Sequence, residues 1–279
     1  MPTPKPSPAH DRLTRDLEKT AITAARAAGE VLMRYFRKNL QVREKRGAGL
    51  VTQADLQAER TALKILLKQT PRFGVTAEES ANRDSSPAVN EPEGRWYIDP
   101  LDGTTNFVHG FPFFCVSIGA AIEGELAVGV IYHPTFNDLY TARRGHGAFL
   151  NGKRIHVSRT RKLHDSLLTT GFTYRKDAWL KREMVAFERL SGIVRAIRRP
   201  GSAALDLAYV ARGVFDGFWE RRLSPWDVAA GALLVEEAGG RVTDFRARAF
   251  RPEQPEILAS NSVLHRAMLR EITAPSLRQ

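Results

Sequence analysis

The sequence of residues 96–107 is Trp96-Tyr97-Ile98-Asp99-Pro100-Leu101-Asp102-Gly103-Thr104-Thr105-Asn106-Phe107. Its first three residues are typical of the end of a buried strand. The glycine and the two threonines that follow are typical of the start of a helix, where free backbone N–H groups attract anions. Two carboxylates lie at the junction, and carboxylates in such a position can hold divalent cations beside a bound phosphate. The segment therefore indicates metal-assisted phosphate chemistry.

Three other acidic positions favour this interpretation over the alternative, in which the two aspartates are a turn residue and a helix cap. Glu78 follows an apolar segment, Asp227 precedes the apolar residues 228–234, and Asp55 lies at the predicted start of a helix. A carboxylate at the start of a buried helix needs a cation or hydrogen-bond donors to offset its desolvation. Because no pair of Cys or His residues accompanies these oxygen ligands, they indicate Mg²⁺ or Mn²⁺ rather than zinc.

Composition and charge narrow the class of protein. The chain has 279 residues, of which 43% are apolar and 26% charged, and no apolar run approaches the length of a membrane span. The net charge of +11 raises the question of nucleic-acid binding. The basic residues are nevertheless spread along the chain without an RNA- or DNA-binding signature. A solvated face, or attraction of a phosphorylated substrate, explains them at least as well, so nucleic-acid binding is kept as a secondary activity.

The remaining chemistry-bearing residues indicate structural roles. Cys115, the single cysteine, lies in an apolar run, so we expect a buried thiol and a reducing compartment. His133, His146 and His164 lack the spacing of metal ligands, and we expect them to be structural or surface residues. Residues 1–9 are rich in proline and lack the apolar core of a signal peptide, which predicts a short disordered tail on a cytoplasmic protein.

Periodicity predicts a mixed α and β chain in which helices sandwich sheets. Helices are predicted over residues 13–36, 54–68 and 177–191, and others beginning at Ser202 and Trp226. Strands are predicted over residues 114–122, 126–132, 138–141, 147–150, 167–172, 241–244 and 257–260. Residues 80–94 are polar and predict a surface loop. We expect one domain over residues 10–273, with two halves, 10–150 and 151–273.

Taken together, the motifs strongly resemble the inositol monophosphatase family, which belongs to a wider group of lithium-sensitive, magnesium-dependent sugar-phosphate phosphatases. The resemblance spans about residues 10–270 and implies a layered αβαβα sandwich and a homodimer. It is carried by Glu78-Glu79-Ser80, by residues 99–106, by Gly201-Ser202-Ala203-Ala204 and by Trp226-Asp227-Val228-Ala229-Ala230-Gly231. Ala77 departs from the glycine that the family usually has before the glutamate pair.

The resemblance also implies a role for each site residue. Two or three Mg²⁺ ions would be held by the side chains or carbonyls of Glu78, Asp99, Leu101, Asp102 and Asp227, with Asp99 bridging two ions. Asp55 and Thr104 would form a pair that positions or activates a water, so that Glu78, Asp55 and Thr104 are the implied catalytic residues. The phosphate would lie against Gly103 and Thr104, and the substrate hydroxyls against Asp102, Ala203 and Glu220.

The reaction implied is Mg²⁺-dependent hydrolysis of myo-inositol monophosphate to inositol and phosphate. Metal ions about 3.5–4 Å apart can activate the attacking water and stabilise the leaving alkoxide, so no phosphoenzyme is required. Histidinol phosphate, fructose 1,6-bisphosphate, NADP and adenosine 3′,5′-bisphosphate are the alternative substrates. Arg222 is either a surface charge or a residue that favours a substrate with a second anionic group. A regulatory protein that binds the transcription machinery or RNA is the alternative from another class of function.

Overall fold

Helices and sheets alternate in five layers. The computed structural model describes residues 8–38, 41–45, 49–80, 93–173 and 177–274. The helices are α1 (Pro8–Tyr35), α2 (Gln53–Gln69), α3 (Thr104–Val108), α4 (Ala178–Ser191), α5 (Ala203–Ala211), α6 (Pro225–Glu237) and α7 (His265–Thr273). The strands are β1 (Val42–Lys45), β2 (Gly49–Thr52), β3 (Phe73–Ala77), β4 (Gly94–Asp102), β5 (Cys115–Ile122), β6 (Glu125–His133), β7 (Asp138–Arg143), β8 (Gly147–Leu150), β9 (Lys153–Ile155), β10 (Leu167–Thr170), β11 (Ala196–Arg198), β12 (Gly217–Arg221), β13 (Arg241–Thr243) and β14 (Glu256–Ser260).

The two main sheets divide the chain in sequence order. A seven-stranded sheet has the order β3-β4-β5-β6-β7-β8-β9 and is antiparallel except for the first pair. A five-stranded sheet has the order β11-β10-β12-β14-β13, parallel over its first three strands and antiparallel beyond them. The change from one sheet to the other falls between Ile155 and Leu167.

Helices α5 and α6 form the central layer between the two sheets. Eight of the nine residues of α5 and eight of the thirteen residues of α6 are buried, whereas α1 buries one face against the seven-stranded sheet. A helix that is apolar on all sides suits a position between two sheets. Helices α1 and α2 cover the outer face of the larger sheet, and α4 and α7 cover the outer face of the smaller one. This order of layers confirms the αβαβα sandwich and the mixed αβ class.

Most predicted elements are present, with some differences at their ends. Helix α1 begins at Pro8, so the tail predicted over residues 1–9 is too long; residues 1–7 lie outside the described part of the chain. Proline is tolerated in the first turn of a helix, where its missing N–H has no partner to lose. Strand β10 ends at Thr170 instead of residue 172. Most of the loop predicted over residues 80–94 also lies outside the described residues.

None of the helices in the described residues is long and apolar enough to cross a membrane.

Candidate active site

A bulge in β4 brings two aspartates onto one face of the larger sheet. Asp99 pairs with Ser117 of β5, and Asp102 pairs with Cys115, so three residue steps on β4 match two on β5. Residues three apart on a regular strand point to opposite faces, and one extra residue restores the same face. Pro100 lies within the bulge, where a residue without an N–H costs no ladder hydrogen bond. The two carboxylates therefore face the central layer together.

The first turn of α6 meets that face. Ser117 Oγ donates a hydrogen bond of 3.3 Å to the carbonyl oxygen of Trp226, which fixes the start of α6 over β5. Asp227 is the third residue of the helix and accepts the backbone N–H of Ser224 at 2.7 Å in a capping box. Capping orients the Asp227 side chain at the helix start. The predicted ligands of the 99–102 segment and of α6 thus share one region.

Glu78 completes the acidic group. It follows β3 directly, and its backbone N–H donates to the carbonyl oxygen of Ile98 on β4 at 3.1 Å. Burial, and then the charges of Glu78, Asp102 and Asp227, raise the pKa of Asp99 well above its usual range. The same two effects, with Asp102 and Glu78 as the charges, raise the pKa of Asp227. Since a nearby like charge is what raises a carboxyl pKa, these shifts indicate that Glu78, Asp102 and Asp227 lie around Asp99.

The chemistry of this group fits hard cations. Asp99 is buried, the other three carboxylates are half-buried, and the four repel one another, so their ionised forms need positive charge nearby. Side-chain interactions of Asp99 with Glu78 and with Asp227 contribute to these pKa shifts, so the three carboxyl groups are neighbours. Within the described ranges, no group of three or more His, Cys, Asp or Glu side chains is arranged in coordination geometry. The donor set is nevertheless entirely oxygen, which Mg²⁺ and Mn²⁺ prefer.

Asp102 is also tied to the start of α5. Its Oδ2 accepts the hydroxyl of Ser202 at 2.8 Å and the backbone N–H of Ala204 at 2.6 Å. A hydrogen bond from the backbone of Ala203 acts on the same carboxyl. Burial raises the pKa of Asp102 to about 6, although these donors oppose the rise. Ala203, predicted to bind substrate, thus already contacts Asp102 through its backbone.

The predicted pair of Asp55 and Thr104 is in contact. Thr104 Oγ1 lies 3.2 Å from Asp55 Oδ1 and 3.1 Å from the carbonyl oxygen of Leu101. The other oxygen of Asp55 accepts the backbone N–H of Thr52 at 2.8 Å and its hydroxyl at 2.6 Å, within the capping box of α2. Asp55 is completely buried, so its orientation is fixed by α2. The Thr104 hydroxyl is held beside Leu101, whose carbonyl is one of the implied metal ligands.

Gly103 needs its lack of a side chain. Its φ is +97°, which favours glycine, and a Cβ there would lie 2.9 Å from the carbonyl oxygen of Phe113. The following helix α3 has five residues, so backbone N–H groups rather than a long helix dipole would contribute to anion binding.

Glu220 lies on β12, on the smaller sheet. It is buried, and burial followed by the charges of Asp206 and Glu183 raises its pKa well above the usual range. Gly171 makes room for it, because a Cβ on Gly171 would lie 2.2 Å from Glu220 Oε2. The charges of Asp227 and Asp102 also act on Glu220, which places it near the acidic group on the larger sheet. The predicted substrate residue and the predicted metal ligands therefore converge from both sheets.

The two arginines after Glu220 have partners in the protein. Arg221 is buried, donates to Glu183 at 2.6 Å and lies over the ring of Phe245. Arg222 forms an ion pair with Asp177, the cap of α4, and its guanidinium lies 5.6 Å from the centre of the Trp179 ring. These contacts favour a structural surface charge at Arg222 over a residue that binds a second anion.

Cys115 is free and buried, as expected, and its Sγ lies 3.7 Å from the hydroxyl of Ser202. His133 is completely buried and its Nε2 lies 3.0 Å from the carbonyl oxygen of Pro112, so it has the structural position expected of it. Burial raises the pKa of the Cys115 thiol, which disfavours the thiolate that a nucleophile needs.

Sequence reasoning missed three residues that support the site. They are Ser202, which donates to Asp102; Gly171, which makes room for Glu220; and Glu59, which binds the turn after Glu78. Ser202 was predicted as a helix start and belongs to a motif of the family resemblance, but neither gave it a contact with Asp102, and no local pattern marks the other two.

The layered fold and its buried carboxylates define a class, the phosphatases built as an αβαβα sandwich. The model of the "Inositol monophosphatase family" matches residues 14–276, and the chain belongs to that family. It is 41% identical over 256 residues to "Inositol-1-monophosphatase" of Mesorhizobium japonicum, covering 91% of this chain and 95% of that protein. It is 42% identical over 266 residues to "Nus factor SuhB" of Pseudomonas aeruginosa, covering 93% and 97%.

Among solved structures, the chain is similar to the extragenic suppressor protein suhB from Bartonella henselae, with a TM-score of 0.85 and 40% identity over 91% of this chain and 97% of that one. Because the family is one of phosphatases, the chain is an inositol-1-monophosphatase-type phosphoric monoester hydrolase. The family is generally metal-dependent, in agreement with the oxygen-rich donor set of the site.

Proposed function

We propose that the protein is a Mg²⁺-dependent phosphatase that hydrolyses myo-inositol monophosphate to inositol and phosphate. The observation that carries the proposal is the β4 bulge, which turns Asp99 and Asp102 to the same face beside Asp227. Two or three Mg²⁺ ions would be held by a set of oxygen ligands, and Mn²⁺ is an alternative. The ligands are Glu78, Asp99, Asp102, Asp227 and the Leu101 carbonyl.

When bound, the ions supply Lewis-acid activation of water and stabilisation of the leaving oxygen. The chain's own residues supply position. The Thr104 hydroxyl donates its hydrogen to Asp55. The lone pairs of Thr104 Oγ1 can therefore accept a hydrogen bond from a water. That contact orients the water for direct attack on phosphorus, and no phosphoenzyme is needed. Backbone N–H groups of Gly103 and Thr104 would meet the developing charge on the phosphoryl oxygens.

Glu220 supports a polyol as the alcohol part of the substrate. A carboxylate accepts hydrogen bonds from two neighbouring hydroxyls, and the charges of Asp227 and Asp102 act on Glu220, so it lies near the acidic group. Since Arg222 is paired with Asp177, little in the described residues beside Glu220 favours a second anionic group. This supports inositol monophosphate over fructose 1,6-bisphosphate, NADP and adenosine 3′,5′-bisphosphate, and Glu220 suits it better than histidinol phosphate.

A substrate panel tests the proposal. Phosphate release is measured with Mg²⁺ on equal concentrations of inositol 1-phosphate and the four alternatives, and then with added Li⁺. We expect fastest turnover of inositol 1-phosphate and inhibition by Li⁺. Strong turnover of another ester, with none of inositol 1-phosphate, would overturn the choice of substrate and leave the reaction class intact.

The variant Asp102→Asn tests the site itself. The amide keeps an oxygen that accepts from Ser202 and Ala204, so the fold should survive. Loss of the negative charge should lower Mg²⁺-dependent phosphate release by about a hundredfold or more, because removal of one group that stabilises a transition state commonly has an effect of that size. Circular dichroism checks the fold. Substitution of an ordinary surface residue has only a small effect. Activity within threefold of wild type would be such a small effect and would contradict the assignment.

A second candidate function is regulatory binding to the transcription machinery or to RNA. It is favoured by the net charge of +11 and by the relative named "Nus factor SuhB". Asp102→Asn separates the two functions, because a binding role should survive it. We further propose a homodimer, a cytoplasmic location consistent with the free Cys115, and one domain over residues 10–273.

A further inference from the structure

Helix α2 directs two buried carboxylates toward the candidate active site from successive turns. Asp55 and Glu59 are four residues apart, so they lie on one face of the helix, and they are 0% and 3% exposed. Asp55 accepts a hydrogen bond from Thr104, and this bond offsets part of the cost of burying the Asp55 carboxylate. Glu59 has no role in the proposed reaction, although burying a carboxylate is costly without compensation.

The partners of Glu59 lie in the turn that follows Glu78. The backbone N–H of Glu79 donates to Glu59 Oε2 at 2.8 Å, and the Ser80 hydroxyl donates to Oε1. Hydrogen bonds to an ionised acceptor are stronger than neutral ones. The Glu59 carboxylate therefore binds two successive residues of the turn.

Glu78 itself is held from the other side. Its backbone N–H donates to Ile98 on β4, which extends the pairing of β3 and β4 by one residue. The chain is thus fixed by the sheet at Glu78 and by α2 at Glu79 and Ser80. With its backbone held on both sides, the Glu78 side chain has a defined direction toward Asp99, whose pKa it raises.

We propose that Glu59 is a positioning residue: it holds the turn at residues 78–80 and so aims the Glu78 carboxylate at the metal ligands on β4. The inference rests on the proposed metal site and adds to it a residue that touches neither metal nor substrate. Outer partners of metal ligands commonly change metal affinity by 10–100-fold when they are removed. Helix α2 would then position two side chains of the site: Thr104 through Asp55, and Glu78 through Glu59.

The test measures metal affinity directly. Binding of Mn²⁺ to the full-length protein is followed by electron paramagnetic resonance of the free ion, beside thermal unfolding. For Glu59→Ala we expect the Kd of Mn²⁺ to rise about tenfold or more. Glu59→Gln should restore affinity to about that of wild type, since its amide oxygen accepts from Glu79 and its NH₂ donates to the Ser80 oxygen. Ser80→Ala, which removes one of the two bonds, should give an intermediate Kd and serves if Glu59→Ala does not fold.

Asp216 provides a matched control. It is also buried and also accepts one backbone N–H, from Leu167 at 2.7 Å, and one hydroxyl, from Ser158. It lies at the start of β12, at the opposite end of that strand from Glu220. Asp216→Ala should lower the unfolding temperature but leave the Kd of Mn²⁺ unchanged.

Unchanged Mn²⁺ affinity in both Glu59→Ala and Ser80→Ala would overturn the inference, as would equal weakening in Asp216→Ala. A failure of the proposed function looks different, because the wild-type protein itself would then bind no Mn²⁺. That result would overturn the metal site and this inference with it.

Discussion

At the scale of single residues, Gly171 is a small residue that lies against the carboxyl group of Glu220, the proposed substrate-binding residue. A methyl group there would lie 2.2 Å from Glu220 Oε2 and 2.5 Å from its Cδ. Because Glu220 is buried, Gly171→Ala should push its carboxylate out of position. We expect the KM for inositol 1-phosphate to rise about tenfold or more, because loss of one hydrogen bond to a charged group weakens binding by about that factor. The effect on kcat should be smaller. Steady-state kinetics measure both constants.

Gly192→Ala is the control for this prediction. Gly192 follows α4 with a φ of −76°, and the nearest atom to an added methyl would be the Arg189 carbonyl oxygen at 3.6 Å. An ordinary contact of that kind should leave both kinetic constants unchanged. A wild-type KM in Gly171→Ala would show that Glu220 has room to move or does not bind the substrate.

The same residue scale shows how far the sequence predicts the site. The segment at residues 96–107 predicts acids at a strand-to-helix junction because strand, turn and helix signals are local. Contacts such as that of Ser202 with Asp102 join residues 100 positions apart, and no local pattern marks them. The pairing of Asp55 with Thr104 was available only through the family resemblance. Glu59 and Gly171 depend on packing, which spacing along the chain does not encode.

At the scale of elements, two glycines set the distance between the larger sheet and α6. Gly119 of β5 and Gly129 of β6 are paired neighbours. A Cβ on Gly129 would lie 2.6 Å from the backbone oxygen of Ala230 in α6, and backbone cannot give way as a flexible side chain can. Gly129→Ala should therefore lower the free energy of unfolding by about 2 kcal/mol, a typical cost of overpacking. Urea unfolding measures it.

Gly74→Ala is the matched change in β3. There the added methyl would meet the end of the Arg95 side chain at 3.3 Å, and that side chain can move aside. We expect its midpoint in urea to stay close to that of wild type. Equal destabilisation by both variants would mean that loss of glycine in a strand, and not the approach of α6, is responsible. Because α6 carries Asp227, Gly129→Ala should also weaken Mn²⁺ binding.

Elements with a clear period were predicted, whereas β12, which is short and buried throughout, was not. Helices α1, α2 and α4 have one apolar face, and that signal is local. Strand β12 has five residues that are all buried, including Glu220 and Arg221, so it shows no alternation of polar and apolar residues. The β4 bulge was not predicted either, since only the pairing with β5 reveals the extra residue.

At the scale of the whole molecule, three apolar cores separate the five layers. The largest fills the space around α5 and α6, the second lies beneath α1 and α2, and the smallest holds α4 and α7 on the outer face of the smaller sheet. Helix α7 supplies Met268 and Ile272 to this smallest core. This core has the fewest buried apolar residues of the three, and α7 also makes polar contacts with the sheet.

His265 is the tie between α7 and that sheet. Its Nδ1 lies 2.9 Å from Ser260 Oγ on β14, and its Nε2 lies 2.9 Å from Thr243 Oγ1 on β13. The Thr243 hydroxyl already donates to the Asp244 carbonyl, so it accepts from Nε2–H, and Nδ1 is the unprotonated nitrogen. Burial, and then the charge of Arg241, lower the pKa of His265 to about 4.

This lowered pKa predicts a loss of stability in mild acid. Above about pH 6.5, the ordinary value for histidine, the imidazole is neutral in both the folded and the unfolded chain. Between about 6.5 and 4 the unfolded chain takes up a proton that the folded chain refuses, so the free energy of unfolding falls as the pH is lowered. Allowing for residual solvent contact, we expect His265 to account for a loss of about 2 kcal/mol. Urea unfolding at pH 7 and pH 4.5 measures it.

The matched variant is His265→Asn, whose amide can accept from Ser260 and donate to Thr243 but does not titrate. Buried carboxyls such as Asp206 and Glu220 also respond to acid, and their response has the opposite sign because their pKa values are raised. Since they are present in both proteins, the difference between wild type and variant isolates the imidazole. The variant should lose less stability than wild type between the two pH values. An equal loss in both would show that His265 accepts its proton in the folded protein, and that α7 stays anchored when the imidazole is charged.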